Sequence, residues 1–173
     1  MRNCLSKVLA LGYFLLFAPL PGSAQDSDAQ TKTLAGLKGF LVVINDIGQD
    51  GHSAGLAESA LVAQAESALR AAGIRVATRE EFLASSDRSL ALLGIMISTV
   101  RNRAGDTFAI SCFLQVTQTA MLVRNPEIRA PVATWYAGGT GVAAAEVVGA
   151  EVNKWLAGLT ASLLDAYKSA NPR

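Results

Sequence analysis

The sequence predicts an α+β fold: a two-layer sandwich in which a mixed, mainly antiparallel sheet of about five strands packs against two main helices. Residues 107–124 alternate apolar and polar side chains with the two-residue period of a long strand. Strands are predicted directly before and after it, without a helix between them, which favours antiparallel hairpins. Two further segments, 54–72 and 142–170, carry apolar residues at helical spacing.

The first half of the predicted domain consists of strand, helix, strand and short helix. Glycine and polar residues after the first strand predict a loop, and Ser53 at its end is a plausible N-cap for the first helix. Thr78 and Glu81 have the spacing of a capping box, which predicts a short helix. The predicted elements are a strand at 40–47, a loop at 48–53, a helix at 54–72, a strand at 74–77 and a helical turn from 79.

The second half consists of three strands and the C-terminal helix. The sequence Asn-Arg-Ala-Gly-Asp at 102–106 predicts a hairpin turn, and a change of apolar phase near Gln118 indicates a bulge. Pro126 and Pro131 predict an irregular connection, and the glycines at 138–141 predict a flexible turn. The predicted elements are strands at 90–100, 107–124 and 132–137, and a helix from 142 to about 170.

The N-terminus has the features of a secretory signal. Arg2 and Lys7 precede an apolar stretch, 8–20, that is too short to span a bilayer. We expect cleavage after Ala24, with a transmembrane anchor as the alternative. Cys4 precedes the apolar stretch, so we expect no lipid anchor. The predicted organisation is a signal peptide at 1–24, a disordered lead-in at 25–36 and one α+β domain at 37–173, located in the periplasm or secreted.

The overall charge gives no reason to expect nucleic acid or an anionic membrane surface as a partner. The chain has 15 Lys and Arg against 14 Asp and Glu, a formal net charge of +1. After signal removal the chain would keep one cysteine, Cys112, which rules out a disulfide within the mature chain. We expect no membrane span after signal removal.

The order of elements resembles a periplasmic domain found in three kinds of envelope protein. The matching stretches are FLVVINDI before a helix, AGIRVATREEFLA, the hairpin from LALLGIMIS to FAISCFLQV, and ATWYAGG before the last helix. The domain occurs in the N-terminal part of the Tol–Pal translocation β-propeller protein, the curli secretion channel protein and the penicillin-binding-protein activator lipoproteins. The resemblance implies an α+β fold and an envelope location, and it carries no site residue over to this chain.

A glycine-flanked serine motif gives one candidate for chemistry. Residues 51–55, Gly-His-Ser-Ala-Gly, match the nucleophile elbow of α/β-hydrolases. A serine triad needs a histidine as general base, and His52, the only histidine of the chain, lies inside the motif beside Ser53. The pattern therefore favours a glycine turn with Ser53 as a helix cap. Asp46, Asp50 and His52 are close enough in sequence to ligate a divalent metal, but a solvated loop is the favoured interpretation.

Three other candidates are interpreted as structural. The sequence Gly-Thr-Gly-Val-Ala-Ala at 139–144 matches a dinucleotide fingerprint, yet the second half of such a site does not follow it. Cys112 lies on the apolar face of its strand, which predicts a buried and inert thiol. Trp135 and Trp155 could stack on a ligand, but their positions also fit packing, and Trp155 is predicted to lie in the core.

The sequence therefore predicts a non-catalytic exported binding or scaffold module with a protein-interaction role in the cell envelope. No cofactor, metal or catalytic residue is predicted, and the speculative binding residues are Asp46, Asp50, His52 and Ser53. The alternative is a small hydrolase or metal-dependent enzyme that uses residues 46–53. Strands 40–47 and 90–100 are apolar on both faces, which predicts either helices on both sides of the sheet or a partner on one side. That partner would be an envelope protein or a second copy.

Overall fold

A computed structural model describes residues 28–85 and 88–172 and has the predicted α+β fold. Within those residues, a five-stranded sheet packs against helices. The helices are α1 (Asp28–Lys32), α2 (Gly48–Ser53), α3 (Glu58–Ala71), α4 (Arg79–Ala84) and α5 (Val148–Ala170). The strands are β1 (Gly39–Ile44), β2 (Arg75–Val76), β3 (Leu90–Arg101), β4 (Thr107–Leu122) and β5 (Asn125–Ala144).

The sheet is mixed, with the strand order β2-β1-β3-β4-β5. The short strand β2 and the central strand β3 both run parallel to β1. β3, β4 and β5 form antiparallel hairpins, as the absence of predicted helices between them indicated. The predicted bulge is confirmed by a register shift between Val116 and Thr117. The long antiparallel ladders make β4 the best-paired strand of the sheet.

One face of the sheet, called the covered face below, carries the hydrophobic core. α3 and α5 pack against this face and against each other. On α5, Leu156 is fully buried, whereas Trp155, which was predicted to lie in the core, is only partly buried at its edge. Each fully buried apolar side chain contributes about 2 kcal/mol relative to an exposed one. The strand residues of the covered face include Leu93, Ile95, Ile97, Ile110, Cys112, Leu114 and Val116.

The prediction of a loop at 48–53 is wrong, because these residues form the short helix α2. Ser53 does not cap the next helix, since α3 begins at Glu58 after an extended Ala57 that provides no side-chain cap. Between them, the left-handed Gly55 turns the chain from one helix to the next. The helix predicted over 54–72 therefore begins too early, because the alanine-rich sequence gives no polar N-cap signal near Glu58.

The predicted boundaries around the last strand are also wrong. β5 includes both prolines of the expected connection and all of the glycines expected in the turn at 138–141. β5 is an edge strand, where a proline without an N–H group is tolerated. The second main helix consequently begins at Val148 and not at residue 142. Its end agrees with the prediction, with Asn171 as the C-cap.

The described part of the predicted disordered lead-in, residues 28–36, is ordered. It forms α1, and Leu34 is completely buried. The Asn171 side chain donates to the Leu34 carbonyl and accepts from the Gly36 N–H, which joins this segment to the end of α5. The expected signal peptide, its cleavage position and residues 25–27 lie outside the described residues.

The predicted capping box is confirmed. The Thr78 hydroxyl accepts from the Glu81 N–H at 3.2 Å, and the Glu81 carboxylate accepts from the Thr78 N–H at 2.8 Å. That backbone hydrogen bond is the main cause that lowers the pKa of Glu81 below its ordinary value. The box places α4 immediately after β2, so the chain can return to begin β3.

Candidate functional site

The four residues predicted to bind a ligand lie where the chain leaves β1. Asn45 extends the ladder beyond this strand, because its side chain donates to the Ile97 carbonyl and accepts from the Ile97 N–H. α2 follows and packs beside β3. Residues 46–53 are therefore a mostly helical segment next to Asn45, whose side chain is hydrogen-bonded to β3 at the centre of the sheet.

The structure gives the four predicted residues separate roles. Asp46 accepts from the Gly48 N–H at 2.8 Å. Asp50 accepts from the backbone N–H of Arg101 at 2.9 Å, which ties α2 to the end of β3. The four residues therefore do not converge on one point, and Asp50 serves as a structural link.

Ser53 is not arranged as a nucleophile. Its hydroxyl donates to the Asp50 carbonyl at 2.8 Å, as is common in the last turn of a helix. The neighbouring His52 directs Nε2 at the Glu58 carboxylate, 3.4 Å away. A nucleophile elbow would place the serine hydroxyl on its base at a sharp turn after a strand, and here it lies inside a helix.

A different set of side chains does converge. Single ligand atoms of Asp46, His52 and Glu58 all lie within 4.8 Å of one another. Asp46 and His52 are exposed and Glu58 is half-buried. Sequence reasoning missed Glu58, since it lies beyond the loop, on the first turn of α3. The signal in the sequence was Glu58, an acidic residue near the only histidine of the chain. It could be recognised only by knowing that the chain turns at Gly55 and that a new helix begins after this turn.

The second candidate surface is the face of the sheet opposite α3 and α5, called the open face below. Its apolar residues come from neighbouring strands in register: Met96 is opposite Phe113, and Ala109 is opposite Val142. Met96 is 37% exposed and Val142 75% exposed. Of the two alternatives for the apolar strands, the one with the two main helices on opposite sides of the sheet is wrong, because α3 and α5 pack on one side and contact each other. The exposed apolar side chains of the open face are Met96, Val100, Tyr136 and Val142.

The β4–β5 hairpin extends past the N-terminal end of β3 and is called the arm below. β3 pairs with β4 only as far as Thr117, so residues 119–131 form a two-stranded ribbon. Val123 at the tip is 98% exposed, and Met121 and Ile128 are also exposed. Arg124 and Arg129 flank these apolar residues. A two-stranded ribbon is only marginally stable in water, so a chain that keeps one with apolar side chains has a surface suited to contact.

The remaining candidate residues have packing positions in the fold. Cys112 is buried, and burial raises the pKa of its thiol from the ordinary 9.0 to about 12, which keeps it protonated and unreactive at neutral pH. Trp135 is buried in the core. The Trp155 ring lies against Gly139 and Gly141 of β5, where a flat backbone accommodates the indole. Residues 139–144, which match a dinucleotide fingerprint, therefore belong to β5, and their glycines pack against Trp155.

A cleft of about 450 Å³ lies between the C-terminal ends of α3 and α5. Tyr167 lines it and donates its hydroxyl to the Leu37 carbonyl at 2.6 Å, so this polar group is already used within the fold. The cleft contains one charged side chain, Lys168, and offers no arrangement for acid–base chemistry. Its lining residues are Ala72, Ile74, Tyr167, Lys168, Asn171 and Pro172.

No protein-family model matches the chain, and no curated protein matches it. Two solved structures of PelC dodecamers from Paraburkholderia phytofirmans are similar to it. The first has 18% identity and a TM-score of 0.46, and the match covers 75% of this chain and 90% of that one. The second has 17% identity and a TM-score of 0.39, with 76% and 89% covered. Similarity at this level carries no argument about fold, assembly or function.

Among the described residues, no helix combines the length and hydropathy needed to cross a bilayer.

Proposed function

We propose that this protein is a non-catalytic, exported binding or scaffold module of the cell envelope that contacts another protein through its open face. The observation that carries the proposal is the row of exposed apolar side chains on a sheet face that α3 and α5 leave uncovered. Exposed apolar side chains grouped on one face of a sheet are typical of interaction sites. The signal-like N-terminus and the resemblance in element order support an envelope location.

The chemistry of the open face favours a protein as the partner. Its apolar groups alternate with small hydroxyl and amide side chains, including Ser98, Ser111 and Gln115, on a flat, paired backbone. This mixture of apolar centres and short polar groups is typical of protein contacts, whereas nucleic acid would require basic side chains. The arm adds apolar area beyond the N-terminal end of β3, so a partner could contact both surfaces.

The geometry of residues 46–53, which the enzyme alternative would use, supports a non-catalytic module. Ser53 and Asp50 are both occupied by backbone hydrogen bonds, and His52 contacts Glu58. The enzyme alternative is tested by a hydrolase and metal screen on the purified protein, with Ser53→Ala and His52→Ala as controls. An activity that disappears in both variants would overturn the proposal.

The central experiment compares the wild type with a Met96→Ser/Val142→Ser variant of the open face. Size-exclusion chromatography with light scattering gives the oligomeric state, and pull-down from envelope extract gives other partners. We expect capture or self-association by the wild type and its loss in the variant, because both substitutions remove apolar contact area. Leu83→Ser is the matched control, since Leu83 is an exposed apolar residue on α4. A wild type that remains a monomer, captures nothing and binds no hydrophobic dye would contradict the proposal.

Export is tested separately. Intact-mass analysis of the secreted form should show a chain that begins at Gln25, as expected for signal cleavage after Ala24. A retained N-terminus or a lipid adduct would contradict this part of the proposal and leave the role of the open face to be judged by the binding experiment.

A further inference from the structure

Three potential metal ligands converge from separate segments of the chain. Asp46 lies in the turn after β1, His52 in α2, and Glu58 in the first turn of α3. One ligand atom from each lies within 4.8 Å of the other two. The only imidazole of the chain is therefore placed beside two carboxylates by the turn that separates α2 from α3.

The spacing of the ligand atoms fits a small tetrahedral ion. His52 Nε2 and Glu58 Oε1 are 3.4 Å apart. Two ligands at the usual zinc distance of about 2.1 Å are separated by about 3.4 Å along a tetrahedral edge. This pair therefore already has the required separation. Asp46 and His52 are exposed, so side-chain rotation can bring the third ligand to the same distance.

Backbone N–H groups hold both carboxylates in place. The Gly48 N–H donates to Asp46 Oδ1 at 2.8 Å. The Ile47 N–H donates to Glu58 Oε1 at 3.5 Å. Metal-ligating carboxylates are commonly held by such outer hydrogen bonds, which reduce the conformational freedom lost when the ion binds.

The ligand types select the class of metal. One imidazole nitrogen and two carboxylate oxygens suit Zn²⁺ or a related first-row divalent ion, whereas Ca²⁺ requires about six to eight oxygen ligands. Asp50 does not contribute a fourth ligand, because its carboxylate accepts from the Arg101 N–H. Three protein ligands leave a position for water or for an oxygen atom of a partner.

We propose that Asp46, His52 and Glu58 bind one Zn²⁺ ion, with at least one coordination position left for a non-protein ligand. The ion would link the turn after β1, α2 and α3. None of the three residues belongs to the open face, so this proposal does not depend on the proposed protein contact.

Calorimetric titration of the untagged, chelator-treated protein with zinc chloride tests the site. We expect one ion per chain and a rise in melting temperature, since an ion that binds only the folded state stabilises it. His52→Ala should weaken binding at least about 100-fold, and Asp46→Asn and Glu58→Gln at least about tenfold each. Co²⁺ in place of Zn²⁺ should give the visible absorption of a tetrahedral site, and His52→Ala should remove it.

Two carboxylate variants provide the controls, and circular dichroism verifies that all variants are folded. Glu66→Gln alters an acid farther along α3 that pairs with Arg70, and it should leave zinc affinity unchanged. Asp50→Asn should also leave it unchanged, which separates this ligand set from the one suggested by sequence proximity. The proposal is overturned if no saturable binding occurs below about 100 µM zinc, or if His52→Ala binds as tightly as the wild type. Loss of affinity in Asp50→Asn equal to that in Glu58→Gln would overturn the assigned ligands.

Discussion

The two faces of the sheet are built from alternate residues of the same strands but have different surroundings. On β3, Ile95 and Ile97 are buried on the covered face, whereas Met96 and Ser98, which alternate with them, are exposed on the open face. β4 alternates in the same way, with Leu114 fully buried and Phe113 half-buried. Because the helices pack on one side, most of the apolar burial that stabilises the fold comes from one face. Fold stability and the proposed protein contact therefore depend on different residues of the same strand.

The largest effect that tests this comparison is expected from truncating adjacent residues of β3. Ile97 is 1% exposed, and Ile97→Ala should lower the free energy of unfolding by about 3 kcal/mol through lost burial and a cavity. Met96→Ala, one position earlier on the open face, should cost less than about 1 kcal/mol in the monomer. Urea denaturation of both variants at low protein concentration measures the difference. Equal losses of unfolding free energy in the two variants would mean that the open face is buried as well as the covered face, which would contradict the difference between the two faces.

A second, smaller effect concerns the way the open face packs without a helix. Gly138 lies opposite Phe113, and a Cβ atom at Gly138 would lie 2.5 Å from Phe113 Cδ1 and against the Cys112 carbonyl. The φ of Gly138 is +151°, which residues with a side chain rarely adopt. Gly138→Ala should therefore lower the free energy of unfolding by about 2 kcal/mol.

Gly141→Ala is the matched control for this substitution, three residues later on β5. A Cβ atom there would contact the Trp155 ring at 3.6 Å, an ordinary van der Waals distance. Thermal or urea denaturation should show a clearly smaller loss for Gly141→Ala than for Gly138→Ala. If both variants unfold at the wild-type midpoint, the packing of Phe113 does not require a glycine at position 138, and the prediction is wrong.

The strands could be predicted from sequence because their pattern reflects the two faces directly. The covered side of β4 appears as an uninterrupted two-residue apolar period, and burial on the sheet imposes that period. The boundaries of β5 were predicted wrongly because its residue types are typical of loops, whereas its pairing with β4 makes it a strand. Pro126, Pro131 and the glycines of β5 are typical of loops, but an edge strand tolerates them, and pairing with the long β4 keeps the segment extended.

The candidate metal cluster could be predicted only in part, because its members become neighbours through a turn. Asp46 and His52 were recognised from sequence proximity. Asp50 was chosen on the same grounds, yet its carboxylate accepts a hydrogen bond from the backbone N–H of Arg101, a residue of β3 that is distant in sequence. Glu58 was missed because residues 54–72 were predicted as one helix. A break at Gly55 changes the direction of the chain and brings the start of α3 back toward His52.

The smallest effect on stability, and the sharpest probe of the two faces, comes from thiol labelling. In a chain with Cys4 replaced by Ser, Cys112 is the remaining native thiol and reports on the covered face. Ser98→Cys adds an exposed thiol on the open face at little cost in stability. With the pKa of Cys112 raised to about 12, its thiolate fraction near pH 8 is lower than that of an exposed thiol by about a thousandfold.

We therefore expect a thiol reagent to modify Ser98→Cys rapidly and Cys112 only after unfolding in urea. Because the folded pKa of Cys112 lies above its ordinary value of 9.0, the stability that the protonated thiol contributes is complete below about pH 9. It is lost as the pH rises toward 12. Rapid labelling of Cys112 in the native state at pH 8 would show that the covered face is not closed. Adding a captured partner should slow labelling at position 98, since a contact on the open face would shield that thiol while leaving Cys112 unchanged.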